Sequence, residues 1–310
     1  MSWQRCRRII RVFGSIIGIS VLVYLIINAV KELRQVPGPI VFHPVFIFPA
    51  LFLTLFAYLM QMINYHWMAA SLGGNPKIHR IIIGYSYSFL HKYIPGSIWG
   101  YFSRAEWYDR EASISAAHSW GASVLEIIIT VSTGVSIWLA YHLSSRGLNT
   151  IFLVVVTLVP FVVVLPINLM MSLLRRSKRA ERFVTSLQPI PVSKWIFITA
   201  NSYLQWLVFG FGLSMILRVF SLELCLTFKD IAVFVYSFAR AWVSGFLVVF
   251  VPTGIGVREV VLKELLSAAT QIGSAKAVLI STTYRLVTMG AELVWVLLAV
   301  LLKRRSFLRK

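Results

Sequence analysis

Two stretches of this sequence place helix-breaking residues and charges inside otherwise apolar runs. The first is Lys92-Tyr93-Ile94-Pro95-Gly96-Ser97-Ile98-Trp99-Gly100. The second is Pro252-Thr253-Gly254-Ile255-Gly256-Val257-Arg258-Glu259, which repeats the order of a proline, two small residues, an isoleucine and a glycine. In a bilayer, backbone without helical hydrogen bonds has to be buried in protein or line a wet cavity, because each unsatisfied polar group costs several kcal/mol. Two such breaks in corresponding halves of a chain are typical of a transporter's binding site.

The composition requires a bilayer around the folded chain. Hydrophobic residues make up 58% and charged residues only 13% of the 310 residues, which is far from the balance of a soluble domain. The formal net charge of +19 is typical of loops that follow the positive-inside rule and contact anionic lipid headgroups. We therefore predict an all-α polytopic membrane protein with a single transmembrane domain over residues 1–310, and we expect no nucleic acid as a partner.

The apolar segments can be compared with the ~20 residues that a helix needs to cross a bilayer. They lie at residues 9–30, 45–72, 81–102, 113–142, 150–174, 195–217, 231–251, 257–269 and 275–302. The segment at 81–102 contains the first break and is better explained as two half-helices. The segment at 231–251 ends on the second break, and the segment at 257–269 is too short to cross alone.

The distribution of basic residues favours about six spanning helices plus two re-entrant helical hairpins over the alternative of eight spanning helices. If the eight main segments all crossed, the basic cluster at 175–182 would fall outside, against the positive-inside rule. With a hairpin at each break, 19 of the 30 Lys and Arg residues lie in inside segments, 7 in outside segments and 4 within the membrane. The same order of elements then occurs in residues 9–142 and, inverted, in residues 150–302. We expect a cytoplasmic (inner) membrane protein with both termini in the cytoplasm.

Charged residues inside the apolar segments are the candidates for substrate binding. Arg258 and Glu259 begin a short helix, where free N–H groups and the helix dipole favour an anion such as phosphate. The alternative is that Arg258 pairs with Glu259 or reaches lipid headgroups. Glu126 and Glu292 lie in apolar helices, where a buried acid needs a partner and is by default functional, although interhelical ion pairing alone would also explain them. Arg104 is either part of the site or on a solvated loop.

The complete prediction contains eight binding residues and six break residues. The residues predicted to bind substrate are Arg258, Glu259, Arg285, Glu126, Arg104, Lys92, Arg240 and Glu292. The residues predicted to form the breaks are Pro95, Gly96, Gly100, Pro252, Gly254 and Gly256. The sequence has no metal-ligand spacing, no nucleotide-binding P-loop and no Gly-x-Ser-x-Gly motif. We therefore expect a protein that is not an enzyme and that uses neither a cofactor nor a metal.

At these motifs the chain resembles the membrane flippase region of lysylphosphatidylglycerol synthases. The resemblance is carried by both break stretches, Arg104, Glu126 and Tyr284-Arg285-Leu286, and it covers nearly the whole chain. That region also occurs alone, in flippase-like membrane proteins that include archaeal members linked to dolichol-based glycosylation. The chain lacks the soluble aminoacyl-transferase domain of the full synthases, so we expect no synthesis of lysyl-lipid. Ser97 and Thr253 stand where the family often has glycine.

The resemblance implies a lipid flippase for a phosphate-bearing lipid, either a phospholipid, aminoacylated or not, or a polyprenyl-phosphate-linked sugar. In this hypothesis Arg258 and Arg285 hold the phosphate, while Glu126 and Glu292 balance charge or bind a cationic headgroup or a coupling proton. One alternative is an accessory protein that binds a lipid-linked intermediate for a glycosyltransferase without moving it. Another is a membrane-embedded transferase that uses Glu259 as an acid or base. The expected partners are the anionic or lipid-linked substrate, a glycosyltransferase or lipid-modifying enzyme, and further copies of the chain.

Overall fold

The computed structural model describes residues 42–74, 76–93, 99–112, 114–147, 155–163, 189–220, 227–248, 252–270 and 272–307, together with single residues between 20 and 31 and residues 166 and 169. Within this part of the chain, eight α-helices are defined at both ends and there is no strand. They are α1 (Ile47–Ser71), α2 (Ile78–His91), α3 (Trp99–Glu111), α4 (Ala116–Ser145), α5 (Val192–Phe220), α6 (Phe228–Leu247), α7 (Val257–Ala269) and α8 (Ser274–Phe307). Short 3-10 helices cover Pro44–Phe46 and Pro252–Gly254. The predicted all-α fold is confirmed.

Among the described residues, five helices are long and apolar enough to cross a membrane, namely α1, α4, α5, α6 and α8. The protein is therefore a multi-pass membrane protein. Helices α2, α3 and α7 contain 14, 13 and 13 residues. At 1.5 Å per residue they extend only about 20 Å, which is less than the ~30 Å thickness of the hydrocarbon core.

The first break separates two short helices, as the sequence predicts. Helix α2 ends before the break and α3 begins after it, while Pro95 and Gly96 lie outside the described residues. The predicted end of this segment at Phe102 is wrong for the helix, because α3 continues past the end of the apolar run. Its polar part has an (i, i+4) ion pair of 2.9 Å between Glu106 and Arg110, a type of pair that stabilises a helix surface.

The remaining predicted segments agree with the helices to within a few residues wherever the structure describes them. Helices α1, α4, α5 and α8 correspond to the segments at 45–72, 113–142, 195–217 and 275–302. The segments at 9–30 and 150–174 lie mostly outside the described residues. A long helix, a broken pair and a long helix follow one another twice along the chain, since α1 to α4 are repeated in kind by α5 to α8. The inverted orientation of the second repeat stays a prediction, as do the single domain and the repeat bounds.

The chain divides into two compact units. Unit 1 contains Met1–Phe56, Phe89–Gly100 and Leu207–Trp295, and unit 2 contains Ala57–Ser88, Tyr101–Trp206 and Val296–Lys310. Each unit therefore takes segments from both predicted repeats.

In unit 1, the core is formed mainly by one face of each of α5, α6, α7 and α8. Buried side chains from these helices include Leu213, Phe234, Leu262 and Ile280. Helices α5 and α6 approach closely at Gly210, where an added Cβ would lie 2.7 Å from the backbone of α6. Small residues allow this kind of close approach between helices in membranes.

In unit 2, polar side chains are paired between helices. Asn64 on α1 donates to the Ser202 hydroxyl on α5 at 2.9 Å, and the Trp206 indole donates to the Thr133 hydroxyl on α4 at 3.0 Å. Such pairs satisfy polar groups that would be costly to leave alone in hydrocarbon.

Candidate functional site

The second break forms a helical hairpin in unit 1. Helices α6 and α7 pack against each other, and the backbone turns between them at Gly254 and Gly256, with φ of 66° and 87°. A Cβ on Gly254 would lie 2.5 Å from the carbonyl oxygen of Gly245 on α6. Glycine is therefore required at position 254 both for the left-handed backbone and for the contact with α6.

Thr253, next to this turn, has a backbone conformation that is unusual for its residue type. Its φ is 53° and its ψ is 15°, in the left-handed region that a β-branched side chain rarely adopts. Such a residue costs about 1–3 kcal/mol and persists only where its surroundings hold it. The hydroxyl of Thr253 accepts a hydrogen bond of 2.6 Å from Nη2 of Arg285 on α8. The threonine thus supplies an oxygen that a glycine at this position would not supply.

Glu259 joins the start of α7 to the same arginine. Its carboxylate accepts from the backbone N–H of Gly256 at 2.5 Å, and its other oxygen lies 3.5 Å from Nε of Arg285. Both side chains are buried, with Glu259 6% and Arg285 8% exposed. The structure thus shows an ion pair between Glu259 and Arg285.

The Arg258 side chain contacts α6 at two places, along its aliphatic stem and at its guanidinium group. The guanidinium carbon lies 5.0 Å from the centre of the Trp242 ring on α6, within the range of a cation–π interaction. The stem passes Gly245, where an added Cβ would lie 2.4 Å from Cγ of Arg258. The position of this half-buried arginine is therefore fixed by an aromatic ring and by the absence of a side chain at Gly245.

The residues just before the first break meet α8 in the same unit. Nζ of Lys92 lies 2.5 Å from one carboxylate oxygen of Glu292, and the Tyr93 hydroxyl donates to the other oxygen at 2.7 Å. Glu292 is only 3% exposed. The buried acid predicted in this helix thus has two partners from a segment 199 and 200 residues away in the sequence.

These contacts define a group that we call the basic cluster, consisting of Lys92, Arg258, Glu259, Arg285 and Glu292. The charges of Arg285 and Arg258 both act on Lys92, so the two ends of the group lie within electrostatic reach of each other. Three cations stand against two carboxylates, a formal excess of one positive charge. The structure therefore brings five of the eight predicted binding residues together within unit 1.

Arg240, on α6, is in the same unit, where its guanidinium donates to the Tyr236 hydroxyl at 2.7 Å. Its part in binding stays a prediction.

Arg104 and Glu126 form a separate group in unit 2. Nη2 of Arg104 lies 2.7 Å from the Glu126 carboxylate, which also accepts from the hydroxyl of Tyr85. Arg104 is 2% and Glu126 4% exposed, so Arg104 is not on a solvated loop. The partner that the sequence requires for Glu126 is thus Arg104.

Three aromatic rings surround this arginine, and we call the arrangement the tyrosine cage. The guanidinium carbon lies 4.2 Å, 4.4 Å and 5.1 Å from the ring centres of Tyr65, Tyr85 and Tyr101. Nη2 also donates to Ser123 at 3.0 Å. The arginine is enclosed by its partners, and a role for this pair in substrate binding stays a prediction.

Several residues of these groups were not predicted from the sequence. Tyr93, Trp242 and Tyr85 are single aromatic residues in an apolar chain rich in aromatic residues, so no local pattern distinguishes them. Thr253 lies in the second break stretch, but a threonine gives no local sign of a left-handed backbone. Within the part of the chain that the structure describes, no group of three His, Cys, Asp or Glu side chains could hold a metal ion.

Comparison with known families gives one match over nearly the whole chain. The family model described as the Lysylphosphatidylglycerol synthase TM region matches residues 11–299. No curated protein matches the chain. The family match agrees with the multi-pass helical fold and indicates a function connected with membrane lipids.

Proposed function

Because this chain belongs to the family of the lysylphosphatidylglycerol synthase TM region, we propose that it is a lipid flippase of the cytoplasmic membrane, with both termini in the cytoplasm. Its substrate is a phosphate-bearing lipid, either a phospholipid, with or without an aminoacyl group, or a polyprenyl-phosphate-linked sugar. The observation that carries the proposal is the basic cluster, where three cations and two carboxylates meet beside a broken helix. No step of this function requires a cofactor or a chemical reaction.

Charge chemistry supports the assignment of phosphate to the basic cluster. Charged groups within a membrane are expensive, so those that are present usually mark a path for substrate or ions. The cluster has an excess of positive charge, and arginine binds phosphate oxygens through charge-assisted, often bidentate hydrogen bonds. Arg258 and Arg285 are thus the groups that hold the lipid phosphate.

The contacts around each arginine position it for this task. Trp242 and Gly245 fix Arg258, and Thr253 and Glu259 fix Arg285. Donors that are held in place before the ligand arrives lose less conformational entropy on binding. The headgroup then leaves water for a site that already offers charge and hydrogen bonds, which lowers the barrier that hydrocarbon presents to a charged group.

Movement of the lipid requires access to the basic cluster from one leaflet and then from the other. Alternating access around a fixed site near a broken helix is the usual way in which transporters with internal repeats work. The backbone turn at 252–256, held by Gly254 against α6, is where the chain departs from regular helix beside the cluster.

The proposal is tested by a translocation assay in liposomes. Purified protein is reconstituted with fluorescent phospholipid or polyprenyl-phosphate-sugar, and the fraction that a membrane-impermeant quencher reaches is followed with time. Arg258→Gln should slow movement at least tenfold, because loss of one hydrogen bond to a charged group costs about 1.5–3 kcal/mol. The matched control is Arg110→Gln, since the Arg110 side chain is 74% exposed and lies outside the cluster.

Three results would contradict the proposal, the first in its assigned site and the other two in the flippase activity itself. Equal rates for wild type and Arg258→Gln would remove the basic cluster from the path. Binding of lipid without movement of any lipid class would favour an accessory protein that presents the lipid to a glycosyltransferase. Formation of a modified lipid by the purified protein would favour a transferase.

A further inference from the structure

Resting on the proposed function, we infer that the lipid bound at the basic cluster is anionic and carries no ammonium group. Lys92 already occupies the place at Glu292 that a cationic headgroup would take. This narrows the substrate to phosphate lipids without an amine and makes Lys92 the residue that determines specificity.

Both oxygens of the Glu292 carboxylate are occupied by the chain itself. One oxygen is 2.5 Å from Nζ of Lys92 and the other accepts from the Tyr93 hydroxyl at 2.7 Å. A lipid ammonium group could reach this carboxylate only by displacing Lys92. The displaced lysine would still lie near the positive charges of Arg258 and Arg285. It would no longer be paired with the carboxylate that offsets this repulsion.

The second carboxylate of the basic cluster is occupied as well. Glu259 accepts from the backbone N–H of Gly256 at 2.5 Å and lies 3.5 Å from Arg285. Oε1 of Glu259 accepts no hydrogen bond within the described residues, but the charge of this carboxylate is already paired with Arg285. Each carboxylate of the cluster is thus ion-paired with a cation of the chain itself. The acids of this group hold the chain's own cations in place and are not a binding site for an amine.

The charge balance of the basic cluster matches one phosphate diester. Three cations and two carboxylates leave one positive charge, and a phosphodiester brings one negative charge. A zwitterionic headgroup would add a positive charge near Lys92, and a lysylated headgroup would add two. Like charges placed together within an interface are strongly unfavourable.

The test measures binding by purified protein in detergent micelles, with lipids that share dioctanoyl chains and differ in headgroup charge. These are phosphatidylglycerol, phosphatidylethanolamine and lysyl-phosphatidylglycerol, and the fourth probe is a C20 polyprenyl-phosphate-linked hexose, which is also a phosphodiester. We expect wild-type protein to bind phosphatidylglycerol at least tenfold more tightly than the lysyl lipid, because an added unit charge at contact distance changes binding by that order. Equal or tighter binding of the lysyl lipid would overturn the inference. Comparison of phosphatidylglycerol with the polyprenyl-phosphate-linked hexose tells which of the two anionic lipids binds more tightly.

Substitution of the lysine tests its role directly. Lys92→Met should reduce the preference for the anionic lipid about tenfold, since Glu292 then has room for an ammonium group from the lipid. The matched control is Lys263→Met. Lys263 has the same side-chain exposure as Lys92, 28%, but pairs at 3.6 Å with the exposed Glu264. An unchanged preference in folded Lys92→Met would contradict the inference.

A double variant covers the case in which the single one does not fold. Lys92→Met with Glu292→Gln removes both charges together, so no buried acid is left alone, and the anionic preference should remain within about threefold of wild type. Tight binding of the lysyl lipid by this variant would contradict the assigned role of Glu292.

Different experimental results would overturn this inference and the flippase proposal. Vesicles in which wild-type protein moves the lysyl lipid faster than phosphatidylglycerol would overturn the inference and leave the flippase standing. Anionic preference in micelles without movement in vesicles would overturn the flippase and leave the preference standing.

Discussion

Replacing Arg104 alone should destabilise the protein far more than replacing Arg104 and Glu126 together. Arg104→Met leaves the Glu126 carboxylate charged and buried, and Glu126→Gln leaves the guanidinium charged and buried. Breaking a buried ion pair from one side typically costs about 3–5 kcal/mol. The exposed fractions of 2% and 4% show that neither group could turn to water.

The double variant Arg104→Met with Glu126→Gln removes both charges and keeps similar volumes. It loses the hydrogen bond of 3.0 Å to Ser123 and the contacts with the tyrosine cage, which together are worth about 2–3 kcal/mol. The interaction energy from the double-mutant cycle should therefore be at least ~3 kcal/mol. A value near zero, with the double variant as unstable as the sum of the single ones, would refute this description of the pair.

The free energies can be measured by titrating the protein with SDS in mixed micelles and following tryptophan fluorescence. An exposed pair in the same unit provides the control. Lys303 and Glu111 lie 3.2 Å apart, with side chains 34% and 41% exposed, so their cycle should give less than about 1 kcal/mol. If the stable double variant at Arg104 and Glu126 no longer moves lipid, the pair also acts in binding, as the sequence predicts.

Two further predictions concern the second break. Gly254→Ala should destabilise the protein by more than about 2 kcal/mol, since the residue has positive φ and its Cβ would meet the Gly245 carbonyl at 2.5 Å. A loss of stability below about 0.5 kcal/mol on SDS titration, roughly the effect of a neutral surface substitution, would contradict the close approach. Thr253→Val keeps the shape of the side chain but removes the acceptor of Arg285, so it should cost about 1–3 kcal/mol, whereas Thr253→Ser should cost less. Equal losses for valine and serine would show that the hydroxyl does not matter.

The helices and breaks could be predicted because their causes are local. Length and hydropathy identify α1, α4, α5 and α8, and Pro and Gly in an apolar run identify both breaks. The predicted segment ends at Phe102, but α3 continues beyond it, because the end of an apolar run need not be the end of a helix. The ion pair of Glu106 with Arg110 stabilises the polar turn that follows.

The site could be predicted only as a set of charges. A buried acid in an apolar helix implies a partner, but the partner's identity depends on packing between segments distant in sequence. Lys92 and Glu292 are 200 residues apart, and no spacing rule connects them. The sequence also does not predict the left-handed conformation of Thr253, because threonine rarely adopts it.

The central claim, that the basic cluster holds the lipid phosphate, is tested most directly by photo-crosslinking in liposomes. An anionic phospholipid with a diazirine in its headgroup is activated by light, and the labelled residues are identified by mass spectrometry. We expect labels on residues 92–93 and 252–259, reduced severalfold in Arg258→Gln. Labels confined to exposed apolar positions such as Phe48 and Phe52, which are 73% and 69% exposed, and unchanged in the variant, would contradict it.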